Sequence, residues 1–225
     1  MIRDEFLAGV RASLPIVAGY LPIGMAYGIL ASQAGLSTVT TVLMSVLVFA
    51  GSAQLICVNM IAIGAGILPI IVMTFLVNLR HLLMSASLSI HLKKAAKGLL
   101  PFIGFLITDE SFAVSSAGIG EREDRAAYFL GLGVTAYLAW LISSWTGAFL
   151  NDILPLVDLP GLDFVLPAMF IVLLVMQLNS RLEILVAAIS AFFSLLFVFI
   201  LPENWNIISA TIIAATAGVV IEKWR

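Results

Sequence analysis

About eight apolar stretches follow one another along this chain, each near the length that crosses a lipid bilayer and each bounded by charges or turn residues. A helix rises about 1.5 Å per residue, so about 20 apolar residues cross a hydrocarbon core. The stretches run roughly 12–34, 39–63, 66–92, 98–118, 126–150, 164–180, 182–201 and 206–221. Of the 225 residues 62% are hydrophobic and only 11% charged, too few to clothe a soluble globule of this size. The expected fold is all-α: a polytopic transmembrane helical bundle of about seven or eight spans, some broken or re-entrant. No linker divides it, so 1–225 is read as one membrane domain.

Composition also excludes function classes. The 11 Lys and Arg against 13 Asp and Glu leave no basic surface for nucleic acid. Abundant Leu, Ile, Val and Phe argue against disorder. Cys57 is the only cysteine, so no intrachain disulfide and no cysteine cluster for zinc or iron–sulfur exists. Neither a metal nor another cofactor is expected. HExxH and GxSxG are absent, and His81 and His91 fall on different helical stripes, so an enzyme is not expected. The first stretch is longer than a signal-peptide core and carries Pro15, Gly19, Pro22, Gly24 and Gly28, which reads as a retained span.

Lysine and arginine set orientation. With eight spans and both termini cytoplasmic, Arg3, Arg11, Arg122, Arg125, Arg181, Lys223 and Arg225 lie inside. The acidic 151–163 loop then faces outward. Lys93, Lys94 and Lys97 violate the rule, which fits a re-entrant third or fourth stretch and a count of seven.

Polar residues within the spans carry the functional information, because a charge in the bilayer survives only beside a partner or water. In the third stretch Thr74, Asn78, His81, Ser85 and Ser89 form one helical stripe, and Arg80, Met84, Ser87 and His91 a second. Two wet faces are expected there. The serines read as helix–helix contacts. Arg80 needs an anion or water. His81 reads equally as a proton carrier or as a partner for a carbonyl.

Thr108, Asp109 and Glu110 lie about ten residues into the fourth stretch, with Ser111 and Ser115 on the face of Thr108. Adjacent residues diverge by about 100° on a helix, so both carboxylates share a shielded site only if the helix breaks there. Either one carboxylate serves only to neutralise Arg80, or the pair holds a cation, an ammonium group or a transported proton. The spacing does not choose between them. Pro22 and Gly24 predict a break in the first span, with free backbone groups able to meet a carboxylate, or else a packing kink. In the second stretch Thr41, Ser45, Ser52 and Asn59 form a packing stripe, and Gln54 lies off it with an amide in need of partners. Asp163 reads as an N-cap.

These pieces in order resemble the AzlC family of branched-chain amino acid exporters. They are Leu21-Pro22-Ile23-Gly24 with Gly28, Gly35-Leu36-Ser37, Phe49-Ala50-Gly51-Ser52-Ala53-Gln54, Asn78-Leu79-Arg80-His81, Thr108-Asp109-Glu110-Ser111 and Leu162-Asp163-Phe164. The resemblance is densest over 15–115; beyond 170 only hydropathy matches. It implies a permease of the prokaryotic cytoplasmic membrane that works with a small hydrophobic subunit of the AzlD type and exports leucine, isoleucine, valine or related compounds. It supplies no catalytic set.

The expected function is secondary export of hydrophobic amino acids, coupled to protons. The zwitterion's carboxylate would meet Arg80 or the Pro22–Gly24 backbone, and its ammonium Asp109 or Glu110, with Asn78, Gln54 and Thr108 as neutral helpers. A buried carboxylate (Asp109 or Glu110) or His81 would carry the proton. The alternative is a passive channel or structural subunit for a small polar solute, with the partner supplying the coupling.

Overall fold

The computed structural model describes residues 2–93, 95–154, 161, 164, 167, 168, 171, 174, 175, 178, 180–200 and 205–223. Among them are ten α-helices and no strand: α1 (Ile2–Ala12), α2 (Leu14–Gln33), α3 (Thr38–Leu47), α4 (Gly51–Ala62), α5 (Ile67–Ser89), α6 (Leu100–Phe105), α7 (Asp109–Gly118), α8 (Arg125–Ile153), α9 (Arg181–Val198) and α10 (Trp205–Lys223). The chain is an all-α membrane protein. Among the described residues α2, α5, α8 and α9 are long and apolar enough to cross a bilayer unaided. Two compact units are present, Met1–Met169 and Phe170–Arg225.

In the first unit α8 is the central post. Its small residues admit the backbones of its neighbours: a Cβ on Gly131 would stand 2.0 Å from the Phe6 carbonyl oxygen of α1, and one on Gly147 2.0 Å from that of Met25 in α2. From the other side, a Cβ on Gly28 would stand 2.2 Å from the Ser144 carbonyl oxygen, and one on Gly24 2.0 Å from the Ser143 hydroxyl. Such approach is how membrane helices gain packing energy, since lipid is as apolar as a leucine core. The same contacts overturn the expected break in the first span. α2 runs unbroken from Leu14 to Gln33 with Pro22 inside it. Pro22 is exposed, and Gly24 is small because α8 lies against it.

The interruptions fall in the second and fourth stretches. The second divides into α3 and α4 at residues 48–50, where Phe49 has a φ of 39°. Left-handed backbone costs a non-glycine residue about 1–2 kcal/mol. Phe49 is buried, with its ring held among Tyr20, Phe105 and Tyr137. The fourth stretch divides into α6, of 6 residues, and α7, of 10, neither long enough to cross alone. A capping box closes the start of α7: Ser111 N–H donates to Thr108 Oγ1 at 3.2 Å and Thr108 N–H to Ser111 Oγ at 2.8 Å.

α5 has one protein-facing side, not two wet faces. Thr74, Asn78, His81 and Ser85 lie on it together with Arg80 and Met84, whereas Ser87, Ser89 and His91 are exposed. Leu79, Leu82 and Leu83 point outward, as a lipid-facing helix requires. The packing stripe of the second stretch is also shortened: Thr41, Ser45 and Ser52 are buried, but Asn59 is exposed. The amphipathic α1 was not anticipated; Glu5 ties it to Arg122 at 3.8 Å.

In the second unit α9 begins at a capping box between Ser180 and Glu183. It packs along α10, where a Cβ on Gly218 would come within 2.9 Å of Val186. Asp163 lies outside the described residues, as does most of the sixth stretch.

Candidate functional site

The two interrupted helices bring their second halves to one place, and Arg80 of α5 joins them. Its Nη2 donates to the Ser52 hydroxyl in the first turn of α4 and sits 2.9 Å from Oδ2 of Asp109, the first residue of α7. A helix start is the positive end of the backbone dipole. At α7 this end is matched by Asp109 and Glu110 in the first turn and by the Thr108 cap. At α4 no side chain caps the helix and no acid stands in its first turn. The region around Ser52 and Arg80 is therefore electropositive, and that around Asp109 and Glu110 electronegative. This is the polarity that a zwitterion needs.

Glu110 is held differently from Asp109. Its Oε2 lies 2.7 Å from the hydroxyl of Tyr20 on α2, and that hydroxyl lies 2.8 Å from Thr108 Oγ1. A phenol has one proton, so Tyr20 donates to one neighbour and accepts from the other. Among the described residues no basic side chain pairs with Glu110.

α8 forms the wall behind both breaks. The Trp140 ring abuts Gly51 at the start of α4, and Gly133 two turns away admits Leu106 at the α6–α7 break. Between them the Tyr137 hydroxyl donates to the Val46 carbonyl at 3.1 Å, satisfying an orphan group near the end of α3. Tyr20 meets Trp140 edge-on at 5.2 Å, and Tyr27 stacks on it at 5.8 Å. Trp140 Nε1–H donates to Gln54 Oε1 at 3.0 Å, and Gln54 Nε2 donates to Ser45 Oγ at 3.1 Å.

Of the residues singled out in the sequence, Arg80, Thr108, Asp109 and Glu110 come together, with Asn78 and His81 on the same face of α5. Arg80 and Asp109 keep 26% and 17% of their side-chain surface accessible, so this chain alone does not enclose the pair. Among the described residues Arg80 Nε, Asn78 Oδ1 and Thr74 Oγ1 have no hydrogen-bond partner. His81 Nδ1 meets the Asn78 carbonyl of its own helix, at 3.2 Å. Gln54 is buried, and both ends of its amide are engaged by protein groups. Pro22 and Gly24 are not part of this cluster.

The residues missed were Tyr20, Ser52 as a partner of Arg80, and Trp140. A signal for Tyr20 was present: Tyr20, Gly24, Tyr27, Gly28 and Ala31 mark one helical face, all of it buried.

The family model for the AzlC protein matches residues 15–154, which hold both breaks and every residue of the cluster. The chain belongs to the AzlC family. Among AzlC-family relatives, it is 29% identical over 180 residues to the branched-chain amino acid transport protein AzlC of Bacillus subtilis, covering 78% of this chain and 70% of that one. It is 28% identical over 190 residues to the inner membrane protein YgaZ of Escherichia coli, covering 81% and 77%. An uncharacterized membrane protein of Archaeoglobus fulgidus is 32% identical over 226 residues, covering 97% and 94%. No solved structure matches this AzlC-family chain.

Proposed function

We propose that this chain is the large subunit of a secondary transporter that exports branched-chain or other hydrophobic amino acids across a prokaryotic cytoplasmic membrane. The reading includes proton coupling, both termini in the cytoplasm and a small AzlD-type membrane partner. One observation carries it: two half-helix starts, one uncapped and one acidic, meet at the Arg80–Asp109 pair. Interrupted helices of this kind supply ion and substrate sites in transporters, because freed backbone groups are tolerated only beside protein or water.

In this reading the substrate carboxylate is received by Arg80 and the start of α4. The ammonium is received by Asp109 and Glu110, with Asn78 and Thr108 as neutral neighbours. Gln54 acts from behind by holding Trp140 against the α4 start. The aliphatic side chain rests on apolar surface, which gives selectivity for hydrophobic amino acids but little discrimination among them, since one methylene is worth about 1–3 kcal/mol.

The test is efflux from amino-acid-loaded cells that express the chain with its partner. Arg80→Ala and Asp109→Asn, present at wild-type membrane levels, should each lower leucine efflux by about tenfold or more, the loss expected when one charged contact goes. Wild-type efflux from both variants would refute the site.

A further inference from the structure

The two adjacent carboxylates of α7 differ in their surroundings, and the difference separates two tasks. Asp109 faces the Arg80 guanidinium at 2.9 Å. Its protein partner is therefore a cation, in a direct salt bridge. Glu110 has no such partner among the described residues; it has Tyr20, at 2.7 Å.

The Tyr20 hydroxyl stands between Glu110 Oε2 and Thr108 Oγ1, at 2.7 and 2.8 Å. When Glu110 is charged, Tyr20 donates to it and accepts from the Thr108 hydroxyl. When Glu110 carries a proton, the chain reverses: Glu110 donates to Tyr20, and Tyr20 donates to Thr108. Every group keeps a partner in both states, because a hydroxyl both donates and accepts. Thr108 is itself fixed by the capping box with Ser111 and is buried. Burying a polar group costs little only while it stays hydrogen-bonded, and this arrangement meets that condition for both protonation states of one acid. Among the described residues Asp109 has no equivalent.

We propose that Glu110 carries the coupling proton, that Tyr20 is its positioning residue, and that Asp109 remains the charged counter-ion of Arg80. This rests on the transporter reading above and deepens it. The proton enters from the aqueous side onto the Glu110 carboxylate and leaves from the same oxygen on the other side, so nothing else is consumed. The other titratable groups around Glu110 are accounted for. From α5 come Arg80, committed to Ser52 and Asp109, and His81, whose Nδ1 meets the Asn78 carbonyl and whose ring lies near enough to feel the charges of both Asp109 and Glu110. On α8, which packs against α7, Tyr137 sends its hydroxyl to Val46 and the Tyr128 ring lies under Arg122.

The experiment uses the full chain with its partner in liposomes loaded with radiolabelled leucine. Two rates are measured: leucine exchange with no pH gradient, and net movement driven by an imposed pH gradient. Their ratio reports coupling independently of how much protein is active. Glu110→Gln should lower this ratio by about tenfold or more, as loss of a proton-transferring group does, and should flatten the pH dependence of the remaining exchange. Asp109→Asn should leave the ratio within about twofold of wild type even where both rates fall. Tyr20→Phe should raise the pH midpoint of driven transport, since the hydrogen bond to the charged Glu110 carboxylate is stronger than the one made by its protonated form and is lost. A Glu110→Gln ratio equal to wild type, or a ratio lost in Asp109→Asn instead, overturns the assignment. If Glu110→Gln does not reach the membrane, Tyr20→Phe decides: an unmoved midpoint overturns it. Wild-type exchange without gradient-driven movement overturns the proton role and leaves the transporter reading standing. No wild-type exchange removes both.

Discussion

Arg80 Nη2 lies 2.9 Å from Asp109 Oδ2, so an unbroken helix is fastened to the first turn of a half-helix. The same nitrogen donates to Ser52, which fastens the start of the other half-helix. One side chain therefore spans the only two interruptions within the described part of 14–153 that divide an apolar stretch into two helices.

Removing both members of that pair should cost the fold less than the two single losses added together. A lone buried charge costs several kcal/mol, but the 26% and 17% accessibility of this pair calls for a smaller figure, about 1–2 kcal/mol. Arg80→Gln and Asp109→Asn should each lower thermal stability in detergent, and the double variant should lie closer to wild type than the sum of the two. Additive losses would mean that the pair is not coupled.

The α2–α8 contact should be intolerant of a single methyl group. Gly28→Ala and Gly147→Ala would press a Cβ against backbone at 2.2 and 2.0 Å, so the helices must part. The expected loss is about 1–3 kcal/mol, the usual cost of overpacking. Gly19→Ala, with nothing within 4 Å, is the control and should unfold at the wild-type temperature.

Gln54 and Trp140 should behave as a pair. Gln54→Leu strands the buried Trp140 N–H, and Trp140→Phe strands the Gln54 carbonyl, each costing about 1–3 kcal/mol. The double variant should lose less than the two together, read from unfolding curves. By contrast, Pro22→Ala should leave efflux within about twofold of wild type, because Pro22 is exposed on a continuous helix.

The helix bounds and much of the site were legible in the sequence, because both follow from local rules. Charges and glycines ended the stretches near where the helices end: the first, read as roughly 12–34, is Leu14–Gln33, and the third, read as roughly 66–92, is Ile67–Ser89. Arg80 and the Asp109–Glu110 pair stood out because charge inside an apolar span is expensive. A break at Asp109–Glu110 was among the readings of the fourth stretch, but the break expected at Pro22–Gly24 was misplaced because proline was taken as the breaking signal. The structure breaks instead at Phe49, which carries no local mark, and at Thr108, whose cap is visible only once Ser111 is known to face back. Phe49 is held left-handed by rings from three other helices, a tertiary cause that a linear reading does not contain. Tyr20 and Trp140 were missed for the same reason. Their partners lie 90 and 86 residues away.

The central claim, that the inner face of α5 beside Arg80 borders a hydrated substrate route, is tested most directly by thiol accessibility. Replacing the lone Cys57 by Ser gives a cysteine-free background. In it, Asn78→Cys on the inner face and Leu79→Cys on the exposed face lie one residue apart, so they differ in facing and hardly in depth. A charged thiosulfonate reagent should label Asn78→Cys, should label it several-fold more slowly with saturating leucine, as occupancy of a shared site requires, and should leave Leu79→Cys unmodified. Equal labelling of both positions, no labelling at Asn78→Cys, or a rate there that ignores leucine would contradict the account.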